Sequence, residues 1–108
     1  MARWIFVALL AGCGSDAAGI ATDGAQIFQS VCATCHGAGG KPSDAMIAKL
    51  NVRDLTAREF RARVTPALVE AQIHAGSKNK LMPSFDGVLS EPQIKAVAGY
   101  VANATFVH

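Results

Sequence analysis

No charge of one sign dominates this sequence: across 108 residues, 10 Lys and Arg stand against 8 Asp and Glu, a formal net charge of +2. A near-neutral chain lacks the dense basic stripe with which proteins hold nucleic acid, so that class of partner is excluded. Charged residues are few, 17% against 51% hydrophobic, which excludes a disordered chain. No apolar run approaches the ~17–25 residues that a membrane-spanning helix requires. The apolar fraction still promises only a thin core, because 20 of the residues are Ala and Leu, Ile and Val are sparse. A chain of this length forms one small domain, which commonly needs a metal, a disulfide or a cofactor to hold it. Three cysteines exclude an all-disulfide framework, since one is always left over.

What is present begins with a leader. Arg3 is followed by the apolar stretch Trp4 to Ala11, then Gly12 and Cys13, the order of a secretory signal. Leu10-Ala11-Gly12-Cys13 resembles the lipobox of bacterial lipoproteins. That resemblance implies cleavage after residues 1–12 and a diacylglyceryl group on the Cys13 sulfur; the alternative is an ordinary signal cut nearby. An acylated terminus attaches a protein to a membrane surface without spanning it, here on the periplasmic side, an oxidising compartment. Residues 13–22 are small and polar without an apolar period and read as a flexible tether. The folded domain is expected over 23–108.

From Asp23 onward the chain reads as helices between glycine and proline punctuation. Asp23 with Gln26 makes one capping-box pattern, and Ile27, Phe28 and Val31 follow on one face. Thr56 with Glu59 opens a short helix to about Arg63. Thr65-Pro66 starts a third, ended by Gly76, and Ser90 with Gln93 opens a fourth that carries Ile94, Val97, Ala98 and Val101. No segment alternates as a strand does. The expectation is an all-α domain of four short helices and long loops, with something bulky at its centre.

Cys32-Ala33-Thr34-Cys35-His36 supplies a candidate for that bulk. C-x-x-C-H is the attachment signature of a c-type haem. Two thiols at a helix end reach the vinyl groups on one side of the porphyrin as thioethers, and the adjacent histidine lies beneath the iron as an axial ligand. A zinc site needs a further Cys/His pair, and only His74 and His108 remain. A thioredoxin-like redox pair needs a βαβ setting that the helical pattern does not provide. Candidates for the second axial position are Met46, His74, Met82 and His108. Met82 stands in Leu81-Met82-Pro83-Ser84-Phe85, between two expected helices, where Pro83 suits a rigid loop. Met46 lies in an apolar run and reads as packing, His74 as a solvent-facing residue at a helix end, and His108 as a frayed terminus.

Together these segments resemble the small bacterial class I cytochromes c, from Asp23 to about Asn103. Gly24 and Phe28 look like the family's first-helix contact residues and Val97 and Tyr100 like their partners on the last helix. Arg53-Asp54-Leu55-Thr56 looks like the segment beside the haem, and Ile73…Gly76…Met82-Pro83…Phe85 like the distal-ligand loop. The resemblance implies a cytochrome c fold wrapped around one covalently bound haem c, with iron ligated by His36 and Met82. It also implies a monomer, not an enzyme, that carries single electrons between redox partner proteins. The alternative is a haem-based ligand sensor or small haem enzyme in which Met82 is displaced. Two features depart from the family. Trp4 leaves with the leader, and Phe60 stands where many relatives place Trp or Tyr near a haem propionate, so Arg53, Arg58, Arg61 and Arg63 become candidate propionate partners. The carbonyl that accepts the proximal histidine N–H is often a proline's, for which Pro42 is available. Lys78 and Lys80 flank the expected haem edge, where they either steer an acidic partner or serve solubility.

Overall fold

Side-chain caps at four helix starts and positive-φ residues at three helix ends punctuate the computed structural model, which describes residues 22–103 and Phe106. Helix α1 (24–36) starts at Asp23, whose carboxylate accepts from the Ala25 N–H at 2.9 Å, one position short of the contact a capping box makes. It runs α-helical over Gly24–Ile27, widens into a π turn over Phe28–Cys32 and closes α-helical over Ala33–His36. Helix α2 is Asp44–Leu50, α3 is Arg58–Arg63, α4 is Pro66–Ala75 and α5 is Glu91–Ala102. Among the described residues there is no strand beyond an isolated bridge between Asp86 and Leu89. The domain is all-α, as the sequence implies.

The caps of the long helices form as expected. Thr65 accepts from the Leu68 N–H at 3.1 Å with Pro66 at the first helical position, and Ser90 and Gln93 bond reciprocally at 3.2 and 2.9 Å. Two local expectations change. The structure adds α2 to the four expected helices: Ser43 caps it through the Met46 N–H at 3.1 Å, and Asn51 ends it with φ of +54°. Two turns are too few to display a helical period, so the apolar residues there carry no signal of their own. Thr56 does not cap α3. Its N–H and hydroxyl both donate to Asp54, at 2.8 and 2.5 Å, an aspartate turn that competes with capping, and α3 starts at Ala57 without a side-chain cap. Those bonds, the hydroxyl's first, hold the Asp54 carboxyl below its ordinary pKa, outweighing desolvation and helped by Lys41.

The first and last helices cross at Gly24. A Cβ on that residue would lie 2.3 Å from the Ala96 carbonyl oxygen and 2.8 Å from the Tyr100 Cβ, so only hydrogen fits. One turn further on, fully buried Phe28 meets Tyr100 and Phe106 at ring-centroid distances of 5.7 and 5.3 Å. Tyr100 and Phe106 close the triangle at 5.1 Å. Arg61 fastens the far end of α5. Its guanidinium donates to the carbonyls of Val101 (2.8 Å) and Asn103 (2.9 Å) and lies 5.3 Å from the centre of the Phe106 ring. A cation there bonds carbonyls at a helix C-terminus and matches the helix dipole.

Candidate functional site

The end of α1 carries three of the residues singled out in the sequence. The π turn adds a residue to the helix just ahead of Cys32 and so shifts Cys32, Cys35 and His36 around the axis relative to the Gly24–Phe28 contact with α5; such turns recur at functional sites. Gly37, with φ of +86°, ends the helix where any Cβ would lie 2.2 Å from the Lys41 carbonyl oxygen. The His36 ring is turned by a long-range bond. Nδ1–H donates to the Arg53 carbonyl at 3.0 Å, leaving Nε2 with the lone pair. The acceptor is therefore Arg53 rather than Pro42, because the 51–55 segment is the one laid beside the imidazole. Burial, first, and the Arg53 charge lower the His36 pKa, against the effect of that hydrogen bond. Burial, aided by Cys35, pushes the Cys32 thiol up to about 11.

Cys32, Cys35 and His36 open onto a cavity of about 1420 Å³ whose wall also includes Met82. Drug-sized ligands occupy clefts of roughly 300–1,000 Å³, so the space suits something larger. Apolar side chains such as Val31, Phe60 and Leu68 line it. The residues fit a covalently held haem: two thiols near each other on one helix end, an imidazole oriented by the Arg53 carbonyl, a thioether sulfur, and a large apolar chamber.

Met82 reaches the cavity from a loop that is bonded to itself. Its carbonyl accepts from the Ser77 N–H at 2.9 Å and its N–H donates to Ser77 Oγ at 3.0 Å. Ser77 in turn donates its hydroxyl to Asn79 Oδ1 at 2.7 Å. Gly76 makes the loop possible, since it holds φ of +74° and a Cβ there would lie 2.7 Å from the Met82 carbonyl oxygen and 2.8 Å from the Ser84 nitrogen. Gly76→Ala combines a left-handed backbone with a clash. It is expected to destabilise the holoprotein by about 1–3 kcal/mol in thermal unfolding and, if Met82 ligates the iron, to weaken the red-end absorption band of an iron–methionine bond. A variant with wild-type stability and spectrum would show that the close approach is not required.

The structure brings Cys32, Cys35, His36 and Met82 onto one cavity and places Met46 and His74 elsewhere. Met46 does not line the cavity, and the His74 ring is engaged by Asp86 and Glu91. His108, Trp4 and Cys13 lie outside the described residues. Of the arginines, Arg53 and Arg63 line the cavity while Arg58 and Arg61 do not. Lys78 lines it too, whereas Lys80 does not. Among the described residues no three His, Cys, Asp or Glu side chains are placed to hold a metal ion directly. The Arg53 carbonyl and the Ser77 clamp escaped sequence reading. A carbonyl carries no residue-type signal, and only the serine's position ahead of Met82 hinted at the clamp.

An all-α domain whose C-x-x-C-H helix and methionine loop share one large apolar chamber is, as a class, a protein built around a covalent haem. Residues 19–101 match the family model for cytochrome c oxidase, cbb3-type, subunit III. Cytochrome c6 of a Synechococcus species is 40% identical over 79 residues, covering 73% of this chain and 65% of that protein. Cytochrome c6 of Euglena gracilis is 38% identical over 80 residues, 72% of this chain and 85% of that one. That of Leptolyngbya boryana is 38% identical over 82 residues, 75% and 88%. Among solved structures, the KustC0563 c-type cytochrome superposes with a TM-score of 0.67 at 28% identity, covering 80% of this chain and 99% of that one. The chain belongs to the c-type cytochromes, as a small single-haem member of class I. Its cofactor is haem c with its iron, and its place is electron transfer rather than catalysis.

Proposed function

We propose that this protein carries single electrons between redox partner proteins through a haem held as thioethers by Cys32 and Cys35 and ligated by His36 and Met82. The observation that supports this reading is the convergence of all four side chains on one cavity. When bound, the haem supplies the one-electron Fe(III)/Fe(II) couple. The chain does the rest. The Arg53 carbonyl fixes the His36 tautomer so that Nε2 is the donor atom, and the apolar walls exclude water. Ser77 holds the Met82 backbone at both its N–H and its carbonyl, which favours a carrier with both axial positions filled over a sensor whose Met82 is displaced.

The setting we propose is the periplasmic face of a bacterial membrane. Residues 1–12 are the leader, Cys13 takes the lipid, 13–22 form the tether, and 23–108 work as a monomer. No helix among the described residues is long and apolar enough to cross a membrane. The test of ligation is Met82→Ala in the haem-loaded protein. The red-end iron–sulfur band should vanish and the midpoint potential should fall by a sizeable part of the ~0.8 V that axial ligation governs, because thioether sulfur favours Fe(II). A surviving band removes Met82 from the iron, and a pyridine haemochrome spectrum without covalent haem ends the reading altogether.

A further inference from the structure

The loop that carries Met82 is fastened to the end of α4 by bonds of two kinds. Backbone and hydroxyl groups make the first kind. The Phe85 N–H donates to the Ile73 carbonyl at 2.9 Å, Ser84 Oγ donates to the His74 carbonyl at 2.6 Å, and Met82 and Ser77 bond each other. None of these titrates near neutrality. The second kind is the His74 imidazole in the last turn of α4. Its Nδ1 meets the Asp86 carboxylate from the loop, and its Nε2 lies 2.9 Å from Glu91 Oε2, on the first residue of α5.

An ionised carboxylate only accepts, so both contacts are hydrogen bonds only when both ring nitrogens carry protons. The geometry is that of an imidazolium. A neutral ring keeps one N–H and turns its other lone pair on a carboxylate, so one arm must let go. The charged surroundings favour the proton: Asp86 from the loop, Glu91 from α5, and Glu70 one turn back on α4. The neighbouring cation, Lys95 on α5, pairs with Glu70 at 3.4 Å. The Asp86 hydrogen bond foremost, with the three carboxylate charges, raises the His74 pKa above its ordinary value against a smaller desolvation effect.

We propose that His74 is a positioning residue for the sixth-ligand loop: as an imidazolium it clamps that loop between α4 and α5, and its loss of a proton loosens the hold of Met82 on the iron. The inference rests on the ligation reading above. Its sign follows from linkage. The clamp is complete below the ordinary histidine value of ~6.5 and is lost as pH rises through the raised folded value.

Carbon monoxide tests it, because it is neutral, does not titrate, and binds reduced haem only after Met82 has left. In the full-length holoprotein the association rate should rise about 1.4- to fivefold, the range of exposed ion pairs, over the pH span in which NMR shows the His74 ring titrating. His74→Gln should be flat across that span, at the wild-type alkaline rate. Glu91→Gln removes one arm and leaves the ring, so its rate at acid pH should move toward the alkaline level; it carries the test if His74→Gln fails to fold. A flat wild-type profile, or a step that survives unchanged in His74→Gln or in Glu91→Gln, overturns the clamp. Failure of the ligation reading looks different: Met82→Ala would then bind carbon monoxide no faster than wild type at any pH.

Discussion

Replacing both Cys32 and Cys35 by Ser is expected to yield a chain that carries no haem through denaturing electrophoresis and that loses most of its helix. The first loss follows from chemistry, since a hydroxyl does not form the thioether. The second follows from volume. The chamber measures about 1420 Å³, and leaving even a tenth of such a space void in an interior costs about 3 kcal/mol, at ~24 cal/mol per Å³. Net stabilities are only ~5–15 kcal/mol, and the sequence contributes few large aliphatic side chains with which to close the gap. Half-buried Val31, Leu68 and Phe85 line the cavity, so without an occupant they face water. Far-UV circular dichroism and a haem stain of the gel are the measurements. A double variant with wild-type helicity and cooperative melting would show that the chain folds without its cofactor and would overturn the account of the core.

Gly24→Ala should lower the melting temperature of the holoprotein by on the order of 10 °C. The added methyl would lie 2.3 Å from the Ala96 carbonyl oxygen and 2.8 Å from the Tyr100 Cβ. Both are tied to the backbone of α5, and neither can rotate away. The helices must separate, and with them the Phe28–Tyr100–Phe106 cluster. Overpacking of this kind costs typically ~1–3 kcal/mol, and each kcal/mol shifts the melting point of a domain this size by ~4–8 °C. Alanine's better helix propensity, up to ~1 kcal/mol in a helix interior, offsets only part of that at a first helical position. Gly99→Ala is the control. It lies within α5 with nothing within 4 Å of the added Cβ, so it should be neutral or slightly stabilising. Equal effects at the two positions would mean that glycine's backbone entropy, not the helix crossing, governs Gly24.

These predictions draw on features of unequal legibility. Thr65-Pro66 and Ser90 with Gln93 announce their helices because a cap and the N–H it accepts lie within three residues of each other. Helix α2 escapes because its capping serine precedes only two turns. Thr56 misleads because Asp54, two residues earlier, competes for the same hydroxyl. His74 reads as an idle residue at a helix end. Its partners are 12 and 17 positions away, so only the return of the chain from α4 to α5 reveals them. Arg61 belongs to the same class: it stands in an arginine-rich run that suggests a solvated face, yet it serves the carbonyls of a helix 40 residues on.

The sequence alone determined the all-α class, the covalent haem, and the identity of Cys32, Cys35, His36 and Met82 as the side chains to follow. The helices and Cys32, Cys35 and His36 rest on short spacings and on residue-type chemistry, which a linear string preserves, whereas Met82 rests on its place before Pro83 and on the family resemblance. Only the tertiary structure decided which carbonyl orients His36, which arginines face the cavity, and that Phe106 completes the aromatic cluster at the helix crossing. It alone showed His74 joined to two carboxylates. Each of these depends on how segments far apart in the chain are laid side by side, and that arrangement is set by burial and close packing around the cofactor's chamber rather than by any local pattern.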